Sequence, residues 1–390
     1  MPAGCLPLGV CACSAASNDS AAARVLNCKA SFVDYLKVRA PKLLRTIAFF
    51  AAGFFLACAP MALDAHRAPA LSVGTTMIDG RVVRYVIARL DRVRVRAALG
   101  GPNVGDTAWL SQIAKHDNAI AAINGGYFEA YAKHVPRKNL DQTTVVDGAM
   151  VFKGDVGSVL YFDRFNHATI ERIPLRIDGS LDGSWTYPND WYAYWFNRLP
   201  GPTGETITIF TPAWGRSTGL RGGPQIQVTD GVVSQIRYGP TRIPSDGYVI
   251  YFRGESSVAF RFWVGRRVAY AVRAEDGSLP GIASAWEAIG GGPQLLVEGM
   301  EFANPGAEGF RDPKIFRPGK RAMVGISEDQ SELIFAVADG SLDQCAHIMK
   351  KLGAYDAMNL DGGASTGLWA NGKYLVSPGR RINNALILTR

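Results

Sequence analysis

The chain has 390 residues, is 47% hydrophobic and 19% charged, and carries a formal net charge of +8. This is globular composition: too apolar for a disordered chain and long enough for one large domain or two smaller ones. Six basic and three acidic residues fall in 1–65, which leaves only +5 on the rest. That mild excess suits an anionic substrate or an ordinary mixed surface, and with no basic stripe or nucleic-acid motif it gives no reason to expect a nucleic-acid partner.

Lys37, Arg39, Lys42 and Arg45 precede an apolar run of 13 residues, 47–59 (IAFFAAGFFLACA). The run suits an export-signal core and falls short of the roughly 20 residues that span a bilayer. Small residues would allow cleavage after Ala59 or Ala65. The stretch ahead of Lys37 is long for a signal, so the alternatives are a downstream start or an uncleaved membrane anchor. The expected organisation is an N-terminal extension, 1–65, holding a signal peptide or anchor, and an exported domain, 66–390. That domain would be periplasmic, extracellular or membrane-anchored. Cysteine usage agrees: Cys5, Cys11, Cys13, Cys28 and Cys58 lie in the extension, which leaves Cys345 alone in the domain, without a bridge. Cys345 falls on the apolar side of an expected helix and reads as a core residue.

From Val82 the pattern is sheet. Residues 82–90 (VVRYVIARL) and 93–99 (VRVRAAL) are β-rich, Thr107 is placed to cap a short helix over 108–115, and 118–123 (NAIAAI) is a buried strand ending in Asn124-Gly125-Gly126. A hairpin is expected over 143–152 about Asp147-Gly148. Apolar strands continue through 158–163, 168–177, 206–210, 225–236, 247–252 and 267–272. Residues 185–196 (WTYPNDWYAYWF) hold seven aromatics in 12 positions and suit either a sugar-stacking platform or a packed corner. GGPQIQVTDG (222–231) and GGPQLLVEGM (291–300) form a near-repeat, from duplication or from shared turn chemistry.

The last ninety residues predict a strand over 331–338, Ser341 as N-cap, a helix with Leu342, Cys345, Ala346, Met349 and Leu352 on its apolar face, a stop at Gly353, and a strand over 354–360. Strand, helix, strand with short links implies a right-handed βαβ unit with parallel strands. The fold class expected is therefore α+β: one domain of mixed, sheet-rich architecture with a C-terminal βαβ unit. Asp339 and Asp361 would then face one sheet edge, where open sheets place ligands.

Asp361 is followed by Gly362 and Gly363, which permit close approach to the backbone, and by the hydroxyls of Ser365 and Thr366. The bland alternative is a tight Asp-Gly turn. Asn124, Gly125 and Gly126 form a second such loop, with an amide suited to a sugar hydroxyl or a phosphate oxygen. Arg321 opens a strand after a basic stretch (Arg311, Lys314, Arg317, Lys320), and its guanidinium suits bidentate phosphate binding. Asp339 is a candidate second carboxylate, within the separations glycosidase pairs require, or simply a turn residue before the helix. His66, His116, His134, His167 and His347 are scattered without ligand spacing, so neither a metal nor another cofactor is expected.

Together these motifs resemble the phosphodiester glycosidase family: INGGYF (123–128), GGPQLLVEG (291–299), Arg321 with Gly325, AVADG (336–340), LGAYDAMNLDGGAST (352–366) and NNALIL (383–388), in family order over about 270 residues. Two positions depart. Ala322-Met323 stands where the family usually has Thr-Ala, and Ala364 where it has a third glycine after Asp-Gly-Gly. The resemblance implies hydrolysis at an anomeric carbon whose leaving group is a phosphomonoester. Asp361, with or without Asp339, would act at the sugar, and Arg321 and the two Gly-Gly loops would hold the phosphate. The expected partner is a sugar phosphodiester or a polysaccharide, such as an envelope polymer or exopolysaccharide. The alternative is a non-catalytic polysaccharide-binding envelope protein of the same fold.

Overall fold

Short runs of β-branched and aromatic residues, broken by Asp-Gly and Asn-Gly pairs, leave little room for helix. The computed structural model describes residues 69–133, 135, 137–201, 203–254, 257–276 and 281–390, and the signal or anchor expected in 1–65 lies outside them. Among the described residues no helix is long and apolar enough to cross a membrane. Tight turns recur with both central residues at positive φ: Asp79-Gly80, Asp147-Gly148, Asp230-Gly231 and Asn371-Gly372. This is the turn whose twist matches that of flanking strands, and the expected 143–152 hairpin forms about one of them, pairing Thr144–Val146 with Ala149–Phe152.

Among the described residues five sheets form, and two of them build the site. The seven-stranded sheet runs Leu71–Ile78, Arg81–Arg89, Glu332–Gly340, Gly319–Ile326, Asp356–Asn359, Gln294–Val297, Met300–Glu301. A five-stranded sheet runs Lys373–Val376, Leu368–Ala370, Ala121–Asn124, Asn384–Thr389, Arg94–Leu99. One apolar cluster joins these two and a third sheet, with Val86, Ile123, Ile289, Val324, Phe335, Leu360 and Leu386 all buried within it. Burial of such side chains is the main stabilising term. The helix Leu342–Lys351 covers the opposite face of the seven-stranded sheet and packs Cys345 and Met349 against Met323 and Ala336. Cys345 is free and buried, and burial pushes its thiol up to about 11. Ser341 accepts from Gln344 N–H at 3.3 Å as the helix cap, and Gly353 turns out of the helix at φ 95°. The short helix expected over 108–115 instead spans Leu110–His116, because Ala108 is held extended by exchanging backbone bonds with Ile382. The two near-repeat segments become hairpins in different sheets.

The C-terminal strand–helix–strand order forms with one difference from expectation. Glu332–Gly340 and Asp356–Asn359 each pair antiparallel with Gly319–Ile326, which lies between them. They run parallel without being neighbours. The reason is local: Gly319–Ile326 reaches Glu332–Gly340 through a short turn and takes the position beside it first.

The glycines at the sheet junction serve packing. A Cβ on Gly125 would sit 1.7 Å from Asn384 Oδ1 and 2.4 Å from Ile289 Cδ1, and one on Gly126 would sit 2.2 Å from the Gly290 carbonyl. Gly125→Ala is therefore expected to cost about 1–3 kcal/mol, read as a lower urea midpoint at unchanged slope. Gly201→Ala, where nothing lies within 4 Å, should stay within about 0.5 kcal/mol of the parent.

Candidate active site

The sheet junction is closed by backbone. Asp361 N–H donates to the Gly125 carbonyl at 3.0 Å, and Asn124 Nδ2 donates to the Asp361 carbonyl at 2.8 Å. Asn124 Oδ1 accepts from Gly367 N–H at 3.0 Å. The Asn124 side chain is thus fully occupied in holding the two Gly-Gly loops together. Leu360 N–H donates to the Ala322 carbonyl, continuing the Met323–Asn359 pairing, so Arg321 comes alongside Asp361. Gly362 fits because a Cβ there would lie 2.8 Å from the Lys320 carbonyl, while Gly363 supplies the left-handed step at φ 59°. Ala364 follows in the short turn Gly363–Ser365 without positive φ, so no third glycine is required.

Asp361 and Arg321 open on a pocket of about 320 Å³. Its lining carries five basic residues (Lys314, Arg317, Lys320, Arg321, Arg380) against three acidic ones (Asp141, Asp312, Asp361). That excess favours an anionic ligand. Arg321 is 4% exposed and forms no ion pair among the described residues. Its Nη2 donates to the carbonyls of Ile315 (2.8 Å) and Arg317 (2.6 Å), which anchors the basic loop, while Nε has no partner. An unmatched donor on a buried guanidinium is costly unless a ligand completes it. Arg380 arrives on a loop pinned by Gly379 N–H to the Ala364 carbonyl, donates to Tyr131 Oη at 2.7 Å and lies over that ring.

Burial pushes the Asp361 carboxyl up to about 7. Ser365 and Arg380 pull it down, and Asp141 adds repulsion. Ser365 Oγ is buried without a well-formed hydrogen bond, yet stands near enough to Asp361 to stabilise its carboxylate. Thr366 instead ties the loop to the Lys320 carbonyl at 3.5 Å. Asp141 is pushed up to about 6, again by burial, with Arg198 opposing and Glu129 reinforcing.

Of the residues selected by sequence, the pocket gathers Asp361, Gly362, Gly363 and Arg321, and Ser365 supports it from beneath. Asn124, Gly125 and Gly126 are buried and position the loop rather than line the cavity. Asp339 is not brought in. It pairs with Lys320, one residue out of step with Arg321, so the pleat turns it to the other face, where it is exposed. The acidic partner found here is Asp141, held by its N–H to the Tyr127 carbonyl at 3.1 Å. Neither Asp141 nor Arg380 carries a local sequence signal. Tyr127 lines the pocket within INGGYF, its hydroxyl donating to the Gly292 carbonyl and accepting from Asn359 Nδ2.

Residues 222–389 match the family model for phosphodiester glycosidases. No curated protein matches the chain. The fold is that of a hypothetical protein from Synechocystis, with a TM-score of 0.69 at 23% identity over 82% of this chain. This chain spans 64% of that structure's length. A protein from Burkholderia pseudomallei named as a candidate exported protein superposes with a TM-score of 0.63 at 21% identity, covering 80% of this chain and 74% of that one. The catalytic domain of zebrafish N-acetylglucosamine-1-phosphodiester alpha-N-acetylglucosaminidase aligns over 83% of this chain and 84% of that one, but at a TM-score of 0.46 and 15% identity the likeness is too loose to argue from.

The raised Asp361 pKa carries a stability cost with a defined sign. An unfolded aspartate ionises near 3.8 and the folded one near 7. Below the lower value both states hold the proton and nothing is lost. As pH rises between the two values, only the unfolded chain ionises, so stability falls, and above about 7 the cost is constant. Asp361→Asn should therefore match the parent Tm at about pH 4 and exceed it at about pH 8. Equal Tm differences at both pH values would remove the shift.

Proposed function

We propose that this chain, whose residues 222–389 match the phosphodiester glycosidases, hydrolyses a sugar-1-phosphodiester, releasing an N-acetylglucosamine-like sugar from a phosphorylated glycan or envelope polymer. The observation that carries this reading is a half-buried carboxyl and a buried guanidinium, Asp361 and Arg321, that open on one pocket without forming an ion pair with each other. Arg321 and Arg380 are suited to the phosphate oxygens, where charge grows as the anomeric C–O bond breaks and its electron pair moves to the phosphate. That leaving group is already acidic and needs little protonation. The remaining requirement is a base to take a proton from the attacking water, and a carboxyl near pKa 7 suits that task at neutral pH. Asp141, with the lower pKa, ionises first and stabilises positive charge developing on the sugar ring. The leader-like run 47–59 supports export, so the domain 66–390 would work in the periplasm or outside the cell.

Incubation with an N-acetylglucosamine-1-phosphodiester, reading released sugar, tests this directly. Asp361→Asn should lower kcat by about 10²–10⁴-fold while the fold is retained. Turnover like that of the parent would remove Asp361 from the chemistry. The kcat/KM profile should rise with pH through an inflection near 7, since the base must be ionised. Arg380→Gln should raise KM by about tenfold and move the inflection upward, because Arg380 holds the Asp361 pKa down.

A further inference from the structure

The pocket leaves the aromatic segment 185–196 unused. In the strand Asp190–Ala193 the side chains alternate, with Trp191 buried against Phe262 while Tyr192 is 53% exposed. At Tyr194, 47% exposed, the chain leaves one sheet and joins the next, its N–H donating to the Ile207 carbonyl. Tyr192 and Tyr194 therefore stand side by side facing outward, ring centroids 5.1 Å apart at 77°, with their hydroxyls 3.0 Å apart. Together with Trp195 they line a depression of about 410 Å³. Its floor is polar and pre-arranged: Asp178 accepts from Arg176 Nε at 3.1 Å and faces Arg273 Nε at 3.6 Å, and Lys153 is bonded to Asp155.

We propose that this surface is a second glycan-binding site that holds the polymeric part of the substrate. The exposed rings of Tyr192 and Tyr194, set edge to face at 77°, offer nearly perpendicular surfaces to the apolar faces of sugars, and the paired Asp and Arg groups offer fixed donors and acceptors for hydroxyls. The mixed charge of the face suits an uncharged stretch of that polymer. Lys153 and Arg176 line the depression with Asp155, Asp178 and Glu275, and Arg273 pairs with Asp178 beside them, so the face lacks the basic excess of the pocket around Asp361. Arg198 links the two sites: its guanidinium lies over the Trp195 ring at 4.5 Å, pairs with Glu129 at 3.0 Å and acts on Asp141 of the pocket. The role as a substrate anchor rests on the proposed activity, but binding itself does not.

The two are separated by measuring binding without turnover. The full chain carrying Asp361→Asn is run by native electrophoresis through gels containing hydroxyethylcellulose, galactomannan or glycol chitin. Retardation is expected in at least one gel. It should weaken by about tenfold or more when Tyr192→Ala and Tyr194→Ala are added and persist when both are replaced by Phe, with Tm unchanged as the folding control. In the Asp361-intact chain, the paired Ala variant should leave turnover of a small soluble sugar-1-phosphodiester unchanged and raise KM for a polymer-linked one. No retardation in any of the three gels, or retardation indifferent to the paired Ala variant, overturns the proposal. So does a concentration-dependent dimer that the same variant dissociates, since the aromatic face would then be occupied by a second copy.

Discussion

Two hydrogen bonds organise the site: Asp361 N–H to the Gly125 carbonyl and Asn124 Nδ2 to the Asp361 carbonyl. They join strand ends from two different sheets, and every functional group around the pocket is placed relative to that seam. The seam in turn leaves no room for a Cβ on either glycine: Gly125 packs against the Asn384 and Ile289 side chains and Gly126 against the Gly290 carbonyl. Buried amide and carbonyl groups must be paired. Asn124 meets that demand on both sides, and at 1% exposure its side chain stays out of the pocket.

The seam gives the site its electrostatic character. Holding Asp361 deep at the junction raises its pKa by desolvation, while the strand Gly319–Ile326 delivers Arg321 beside it. The guanidinium spends one arm on the carbonyls of its own loop and keeps Nε unmatched. A carboxyl raised towards neutrality and a buried guanidinium with an unmatched donor both cost stability. That is the pattern expected where stability is exchanged for function.

Much of this was legible in sequence. The Asp147-Gly148 hairpin, the Ser341 cap, the helix ending before Gly353 and the alternation of the apolar strands all follow from local rules of turn and periodicity. The Asp361 loop and Arg321 stood out by residue chemistry, and the order of the short motifs over about 270 residues pointed to the family whose model residues 222–389 match. The placement of Asp339 did not survive the same reasoning. Sequence shows that two strands flank a helix, but not that a third strand lies between them, nor which way the pleat turns a carboxylate. One step of register between Lys320 and Arg321 put Asp339 on the far face.

Elements, turns, caps and the identity of the groups able to do chemistry follow from local sequence, because they depend on neighbours within a few residues. Which of those groups meet depends on the folded chain. Asp141 and Arg380 join Asp361 across some 220 and 19 residues of chain, and Arg198 stands between the pocket and the aromatic face. Those encounters are fixed by sheet order and by long-range packing of buried side chains, which no local pattern encodes.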